Sequence, residues 1–547
     1  MEEIKINTDV LVVGGGYTGL KAAKGISDSG YSVVLIESDT IIGGEKNSLS
    51  LIGIDVAAQD ELKRLVDDVA ADDAVNVLMN TRLVSAAGVP GDFTIRLATS
   101  DGDLEKKIGA IVVATNFSNK PLSEAYGLSL SDSVLTLSQL EYLLSGSDRD
   151  RLSNKTIAFM VGFAQEGNSL VMERILSNVL AVESIGGCTT YVFAGNLKVA
   201  SDGLERAYLE SRDKGATYFK LKTMPTISPD GESISFIDPV LRKKMELSPD
   251  VIVIEEEILA DEMNTLLAEI LRIDVGPCGF LQTDNIHRFP VQSNREGIFV
   301  IGGTRDVQNI PTALMDVENA VLEVNHLLKD GKIVVPKNKA VLDIGKCTFC
   351  ITCYRVCPHG AIYWDNTNKP VISPVACQGC GICASECPMD AIQIGNYSDA
   401  EIMDKIKSNG SAAPDDLRIV AFCCQNSAYE AGLMADAFQM ETPANLQVIK
   451  VPCAGKVDLD YIMKAFVEGA DGVLVMACHP GNCKSEKGNT YAEWRVVDAH
   501  RMMEETGLEK ERLGFVTLAS NMGSGFSSAV MDLENRLKEL GTSPFNK

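Results

Sequence analysis

Cys347-Thr-Phe-Cys350-Ile-Thr-Cys353-Tyr-Arg-Val-Cys357-Pro358 and Cys377-Gln-Gly-Cys380-Gly-Ile-Cys383-Ala-Ser-Glu-Cys387-Pro388 are two copies of one pattern, C-x2-C-x2-C-x3-C-P. Three thiolates at three-residue intervals wrap one face of an iron–sulfur cube, and a Pro after the fourth Cys turns the chain away. Zinc and structural disulfides are the competing readings. A structural zinc site is closed by two CxxC pairs around one tetrahedral ion, which does not use two interleaved sets of four. The stretch therefore reads as a two-cluster electron relay, and the rest of the chain is organised on either side of it.

The doubled run resembles bacterial-type ferredoxins, in which the fourth Cys of each run ligates the other cluster. That likeness implies one [4Fe–4S] cluster on Cys347, Cys350, Cys353 and Cys387 and a second on Cys377, Cys380, Cys383 and Cys357. His359-Gly-Ala-Ile and Met389-Asp-Ala-Ile follow the two Cys-Pro pairs. They predict a short helical turn and a strand covering each cluster, with His359 a surface neighbour rather than a ligand.

Upstream, Val10–Val13 runs into Gly14-Gly15-Gly16-Tyr-Thr-Gly19, then into a helix with small residues at Ala22 and Ala23 and a second apolar strand ending at Glu37. Strand, Gly loop, helix, strand and acid come in the order a dinucleotide-binding unit needs. Gly14 makes the tight turn, Gly16 admits a pyrophosphate, Gly19 allows helix–strand packing, and Glu37 is placed for ribose hydroxyls. The helix N-terminus offers amides and a positive dipole end to the phosphates. Gly43-Gly44, the strand end Ala114-Thr115-Asn116 and the late segment Gly297–Asp306 resemble the two-dinucleotide-fold flavoproteins. The resemblance implies FAD, with Gly302 and Asp306 near its ribityl chain. It also implies a helix over 311–328 whose N-terminus faces the flavin pyrimidine. Asn116 replaces that family's Gly, and Gly303 and Asp306 are not adjacent.

Such flavoproteins insert a second nucleotide domain, here residues 117–275. Its strand Thr156–Val161 meets a weakened Gly162-Phe-Ala164-Gln-Glu-Gly167 loop. A fold retained without a nicotinamide cofactor is at least as good a reading as a working NAD(P)H site. Cys188 and Cys278 stand alone and lack CxxC spacing, so no redox dithiol is expected.

The chain of 547 residues carries a net charge of −25 and has no Lys/Arg-rich run, which disfavours nucleic acid. Its 15 cysteines are clustered rather than evenly spread, which argues for metal ligation in a reducing compartment. No apolar run is long enough to span a membrane, and the acidic start is unlike a signal peptide. The location expected is cytoplasmic, with any membrane association made through partner subunits. Asp330–Lys339 reads as a polar link before the relay. Asn396–Leu417, with Ser-Asn-Gly-Ser-Ala-Ala-Pro-Asp-Asp, reads as a flexible boundary after it.

Residues 417–547 alternate strands (418–422, 446–451, 472–476, 513–518) with helices (428–439, 457–468, 489–506, 526–540), predicting a parallel sheet. Cys423 and Cys424, Cys453 and Cys478 end successive strands, and Cys483 follows in His479-Pro-Gly-Asn-Cys. Carboxyl ends of parallel strands share one edge, where such folds bind ligands. The thiols are thus expected to converge on one Fe–S site, with Cys424, Cys453, Cys478 and Cys483 as ligands and Cys423 as the alternate. Four ligands suit a two-iron cluster, while spacing alone leaves zinc as the alternative. Gly455, Gly481 and Gly523 are expected to admit close backbone approach at that edge.

With these residues in view, residues 1–395 resemble the flavin/iron–sulfur subunit of heterodisulfide reductase. Residues 417–547 resemble the delta subunit of methyl-viologen-reducing hydrogenase, through Val451-Pro-Cys-Ala-Gly-Lys-Val-Asp458 and Glu468-Gly-Ala-Asp-Gly-Val-Leu-Val-Met-Ala-Cys-His-Pro-Gly-Asn-Cys483. A similar fusion is the B subunit of the quinone-interacting membrane-bound oxidoreductase. The likeness implies a [2Fe–2S] cluster in the last domain. Two departures stand out: Ser427 occupies the second position of that family's C-x-x-C, and residues 1–187 lack the additional cluster cysteines of the reductase flavoprotein.

The architecture expected is α/β multidomain. A two-dinucleotide-binding-domain flavoprotein (1–116 with 276–330, and 117–275) carries a bacterial-type 2[4Fe–4S] ferredoxin domain (α+β, 340–395) and a C-terminal parallel α/β domain (417–547). The function expected is an electron-transfer flavin/iron–sulfur subunit of an oxidoreductase complex, with no side chain of its own as catalyst. The implied partners are heterodisulfide-reductase-like B and C subunits, or hydrogenase, formate dehydrogenase or quinone-interacting membrane subunits. The alternative is a self-sufficient NAD(P)H-dependent flavin:ferredoxin-type oxidoreductase.

Overall fold

Four apolar tetrapeptides, Val10–Val13, Val33–Ile36, Val75–Leu78 and Ala110–Val113, join Ile298–Val300 in a five-stranded sheet. All its pairings are parallel. Three of the tetrapeptides are buried along their whole length, because both faces of the sheet are covered. Helices Tyr17–Asp28 and Ile310–Leu328 pack on one face. The antiparallel strands Arg82–Val89, Asp92–Thr99 and Gly102–Ile108 cover the other through Leu83, Phe93, Ile95 and Leu97. The structure is a computed structural model that describes residues 1–44, 56–276, 278–282, 285–336, 339–407 and 417–546.

Phe117–Pro121 leads out of this domain and Glu256–Ala260 leads back, paired antiparallel. Between them lies a second parallel sheet in the order Val134–Thr136, Val251–Ile254, Thr156–Val161, Thr189–Ala194, Thr217–Lys220. The inserted second nucleotide domain is therefore present as a fold.

The ferredoxin domain is two small halves. Ala340–Leu342 pairs with Ile392–Ile394, and Ile362–Trp364 pairs with Pro370–Ile372. Each cysteine run carries one short helix, Thr352–Val356 or Ile382–Ser385.

In the last domain Leu446–Val451, Ile419–Cys424, Gly472–Ala477 and Leu513–Thr517 form a parallel sheet in that order. Helices Ala428–Ala437, Leu459–Val467, Gly488–Thr506 and Gly523–Leu540 cover it.

Three expectations change. The polar link is not free: Lys332–Val335 pairs antiparallel with Glu2–Lys5, closing the first domain at its termini. The boundary after the relay is partly helix: Asp399–Lys407 packs Ile402 and Ile406, one turn apart, into the core of the last domain. The Ser-Asn-Gly-Ser-rich part of that boundary, 408–416, lies outside the described residues. The first strand of the last domain runs two residues further than expected, so Cys423 and Cys424 lie inside it.

The second nucleotide domain also buries an ion triad. Arg174 donates to Glu141 Oε2 at 2.8 Å and to Glu256 Oε2 at 3.0 Å, with all three side chains nearly inaccessible. Burial pushes the Glu141 carboxyl above the usual range and Arg174 opposes it. Removing one member of a buried pair strands the others without a partner. Arg174→Ala should cost about 3–5 kcal/mol, read as a lower denaturant midpoint with native-like circular dichroism in water.

Candidate functional site: a thiol ring, two cysteine quartets and a dinucleotide loop

The strand pleat decides which of the adjacent cysteines Cys423 and Cys424 faces the shared edge. Neighbouring residues of a strand point to opposite faces. Cys423 goes into the core with Leu474 and Met476, its sulfur 3.8 Å from Met476 Sδ. Cys424 goes to the other face, into the core that holds Cys453, Cys478 and Cys483. There the thiols close a ring: Cys424 bonds to Cys453 and Cys478, and Cys483 bonds to the same two. The Cys424–Cys478 sulfurs are 3.7 Å apart. S–H donors on either side pull Cys424 and Cys483 below the usual thiol range, and Cys453 and Cys478 are held above it by the same contacts. Burial pushes Cys423 up. Such a donor set suits a metal–thiolate cluster, since the thiolate is the ligand form. Among the described residues, no three His, Cys, Asp or Glu side chains are drawn around the position of a single ion.

The surroundings of the ring were only partly legible. The buried Ser427 hydroxyl, 2% exposed, lies against Cys424 and Cys478. Gly488, the first residue of the helix Gly488–Thr506, packs directly under Cys453 and Cys483, where a Cβ would collide with the Cys453 sulfur. The N–H groups of Ser485 and Asn489 point at Cys483, as helix N-terminal amides do towards negative charge. Of the three glycines expected at this edge, Gly523 packs on Met434 and Gly481 faces open space. Gly455 is a close approach, but to Ile382 of the ferredoxin domain. The glycine that opens the helix, in Lys487-Gly488-Asn489, was the signal missed.

The cysteines of the two ferredoxin runs fall into two groups with different settings. Cys347, Cys350, Cys353 and Cys387 line one cavity together with Phe349, Ile351 and Met389. Cys357 packs with Cys377 and Cys383, and its charge acts on both Cys380 and Cys383. The quartets differ in setting. Cys350 and Phe349 (50% exposed) face outward, whereas Cys377 and Cys383 are buried and burial raises the Cys377, Cys380 and Cys383 thiols.

The buried quartet is the one that meets the other domains. Ile382, between Cys380 and Cys383 and 0% exposed, reaches Gly455 and Gly488 beneath the thiol ring. Ser385 Oγ donates to Lys456 O at 2.7 Å, and Glu386 pairs with Arg495 at 2.5 Å. On the opposite side Asn294 donates to Pro358 O at 3.0 Å and Gln378 to Glu296 at 3.0 Å. His359 is not a surface residue as expected. It is 8% exposed, its Nδ1 is 3.4 Å from Asn294 O, and burial lowers it to about 4. From the first domain Asn285 also donates to Cys483 O at 2.9 Å.

At the N-terminal loop, Gly14 has φ +110 and a Cβ there would come within 2.5 Å of Ala114 O, which ties the loop to the strand end at Ala114 and Thr115. The Gly19 position abuts Gly14 O, and Gly16 has nothing within 4 Å of a would-be Cβ. The loop is thus packed tight on the sheet side and open where a pyrophosphate would lie. Glu37 Oε2 accepts from Gly15 N at 2.7 Å and Oε1 from Asp39 N at 3.0 Å, so the acid sits at the loop. Gly43 N donates to Gly15 O at 2.7 Å, bringing Gly43 and Gly44 beside it. The Gly302 turn is held by a residue sequence reasoning passed over. Asp316 Oδ2 accepts from Gly302 N at 3.2 Å and from Arg305 at 2.8 Å. Asp306 is turned towards Val307 N at 2.7 Å. Helix Ile310–Leu328 starts as expected, capped by Asn309. These residues fit a dinucleotide.

The second loop does not present its amides to a ligand. The buried Glu255 carboxylate accepts from Gly162 N at 3.0 Å, Gln165 Nε2 at 3.3 Å and Tyr126 OH at 2.6 Å. A protein carboxylate occupies the anion position of that loop. Cys188 donates to Leu152 O at 3.1 Å and Cys278 is exposed, far apart in sequence and in different settings.

Comparison with known proteins follows these modules. The family described as methyl-viologen-reducing hydrogenase, delta subunit, matches residues 419–541, and the 4Fe-4S dicluster domain matches 346–404. The A-type subunit of the ferredoxin:CoB-CoM heterodisulfide reductase of Methanosarcina mazei is 23% identical over 461 residues, 80% of this chain and 58% of that protein. The chain thus spans little more than half of that relative. A hydrogenase iron–sulfur subunit of Methanococcus voltae is 36% identical over 124 residues, 23% of this chain and 86% of that protein. Among solved structures, Lactococcus lactis thioredoxin reductase aligns with 59% of this chain and 99% of its own at 18% identity and TM-score 0.42. Through its C-terminal domain the chain belongs to the hydrogenase delta-subunit family, and the body that precedes this domain is similar to the A-type heterodisulfide reductase subunit.

Proposed function

We propose that this chain is an electron-transfer subunit of a multi-subunit oxidoreductase, in which FAD, two [4Fe–4S] clusters and a C-terminal [2Fe–2S] cluster are held by one polypeptide. The observation that carries this reading is the position of the Cys357/Cys377/Cys380/Cys383 quartet. It packs against the thiol ring through Ile382 and against the flavin domain through Asn294, Glu296 and His359. The relay lies along the chain between the flavin domain and the last domain, which by itself suggests a linear order through both cubes. The packing favours a junction instead, with the outward-facing Cys347/Cys350/Cys353/Cys387 quartet as a third branch.

When bound, FAD exchanges electron pairs on one side and single electrons on the other, which matches it to clusters. The chain's own residues do the placing. Gly14, Gly16 and Gly19 give the pyrophosphate its approach, and Glu37 stands at the ribose position. Asp316 fixes the Gly302 turn against Thr18. Apolar packing of Ile382 excludes water between the buried quartet and the ring. Cys424, Cys453, Cys478 and Cys483 supply the four ligands of the last cluster. Ser427 stands where the family's C-x-x-C has its second Cys and offers a hydroxyl against two of them.

The exposed apolar rim at Phe349, Ile351 and Met389 supports docking of a further redox subunit over the outward quartet. Heterodisulfide-reductase-like, hydrogenase, formate dehydrogenase or quinone-interacting subunits are the partner class. No helix among the described residues is long and apolar enough to cross a membrane, so a membrane partner would supply its own span.

The NAD(P)H-dependent alternative is disfavoured by Glu255, since a nicotinamide pyrophosphate would have to displace a buried carboxylate from the loop amides.

Three results are expected. Anaerobic reconstitution should load about ten iron atoms per chain, from two four-iron clusters and one two-iron cluster; a ceiling of about eight or lower would remove the three-cluster reading. Cys424→Ala should abolish the two-iron electron paramagnetic resonance signal while Cys423→Ala leaves it, and the reverse pattern would overturn the ligand assignment. Millimolar NADH or NADPH should leave the flavin of the isolated protein oxidised in stopped-flow absorbance, with rapid bleaching reinstating the alternative.

A further inference from the structure

Among the described residues, Arg295 is a buried cation that forms no ion pair with a carboxylate. Its side chain is 4% exposed, and its guanidinium donates to two neutral carbonyls, Leu271 O at 2.6 Å and Gly88 O at 2.9 Å. Among the described residues no carboxylate reaches it. The adjacent Glu296 turns away to Gln378. Arg272, whose charge also acts on Arg295, is a second cation, stacked 4.2 Å from the Tyr354 ring centroid and donating to Tyr354 O at 3.2 Å. Burial lowers the Arg295 guanidinium to about 10, Arg272 adds to the lowering, and the Cys357 thiol opposes both.

An unpaired buried charge is costly even after relaxation. Its persistence calls for a counter-charge, and the surroundings point to one place. Gly360 has φ +60 and lies flat against the guanidinium, so any Cβ there would strike Arg295 Nε. One residue on, Ala361 N donates to Cys357 Sγ at 3.4 Å. Gly88, held by Arg295, precedes Val89, which packs on Ala361, Ala376, Cys377 and Cys357. The guanidinium therefore backs the Cys357/Cys377 side of the buried quartet. The other repeat has the same local turn, with Ala391 N donating to Cys387 Sγ at 3.4 Å. It carries the exposed Asp390 where this one has Gly360.

We propose that Arg295 is the built-in counter-charge of the cluster on Cys357, Cys377, Cys380 and Cys383, and that it holds that cluster at a higher reduction potential than its twin. The inference rests on the proposed reading that this quartet holds a [4Fe–4S] cluster. Taking up one electron adds one negative charge to the cluster, with no proton or other reactant required, and a fixed buried cation favours that reduced form. Net charge and polar surroundings are among the terms that set such potentials. The sequence alone offers two near-identical motifs; the neighbouring domain makes them unequal.

The test is a redox titration of the iron-loaded full chain, followed by electron paramagnetic resonance, in wild type, Arg295→Met, Arg295→Gln and Arg295→Lys. Gln keeps a donor for the Leu271 and Gly88 carbonyls and carries the test if the Met protein does not fold. In Met or Gln, one of the two four-iron signals should become harder to reduce by at least about tenfold in equilibrium constant, about 59 mV for one electron. The other signal should stay in place, and Lys should restore most of the shift. Loss of one cluster from Gln but not from Lys supports the same inference. Unmoved potentials in a Gln protein with wild-type iron content overturn it, as does loss of the cluster from both Gln and Lys, which assigns Arg295 to the fold alone. Failure of the wild type itself to load two four-iron clusters would instead overturn the reading of the cysteines.

Discussion

Ile382 wedges one cysteine repeat of the ferredoxin domain into the edge of the C-terminal sheet, and the relation between the redox modules depends on that contact. The residue is inaccessible, and it lies where Gly455 and Gly488 leave room by having no side chains. Gly381 beside it is pressed on the aliphatic stem of Lys456, whose ammonium is turned to Asp399 at 2.7 Å. An apolar side chain held among glycines excludes water at close range, which lowers the local dielectric and strengthens every charge interaction nearby. It also places Cys380 against the core that contains the thiol ring. Two repeats with one motif thereby acquire different lives: one faces outward, and the other becomes the meeting point of three domains.

Charge is distributed to match. The chain is strongly acidic overall, yet its internal seams are furnished with cations. Arg495 pairs with Glu386 across one seam, Arg288 with Glu486 across another, Arg272 reaches Tyr354 of the first cysteine run, and Arg295 abuts Gly360 beside the buried quartet. Where a seam has an acid, an ion pair forms. Where it has none, the thiolates are the remaining source of negative charge. The second nucleotide domain solves the converse problem. Its loop amides, which a dinucleotide would satisfy, are satisfied by the chain's own Glu255. A Gly-rich loop with its donors already used is a stable piece of structure that needs no ligand, which explains how this domain keeps its fold while its motif decays.

Much of the architecture was legible because it is local. Period and spacing alone revealed the doubled cysteine run, the strand–Gly loop–helix–strand–acid order at residues 10–37 and the alternation of the last domain. Parallel strands share a carboxyl edge, so topology alone led one to expect the strand-end thiols of the last domain on one side of its sheet. The misreadings came where local composition competed with tertiary packing. Lys332–Val335 looks like linker but finds Glu2–Lys5 as a partner, Asp399–Lys407 looks like boundary but buries two isoleucines, and His359 looks exposed but is roofed by Asn294.

The sequence by itself determined the inventory of this protein: one dinucleotide loop, two cysteine quartets and a set of thiols at strand ends, since each is specified by residues close in the chain or fixed by strand order. Only the tertiary structure decided between neighbours. Cys424 rather than Cys423 joins the ring because the pleat sends adjacent side chains to opposite faces and the strand extends through both. The second repeat rather than the first becomes the junction because Ile382, Gly455 and Gly488, distant in sequence, fit together. Side-chain spacing along a chain cannot encode which of two equivalent motifs another domain will cover; that is settled by the complementary surfaces that meet when the domains pack.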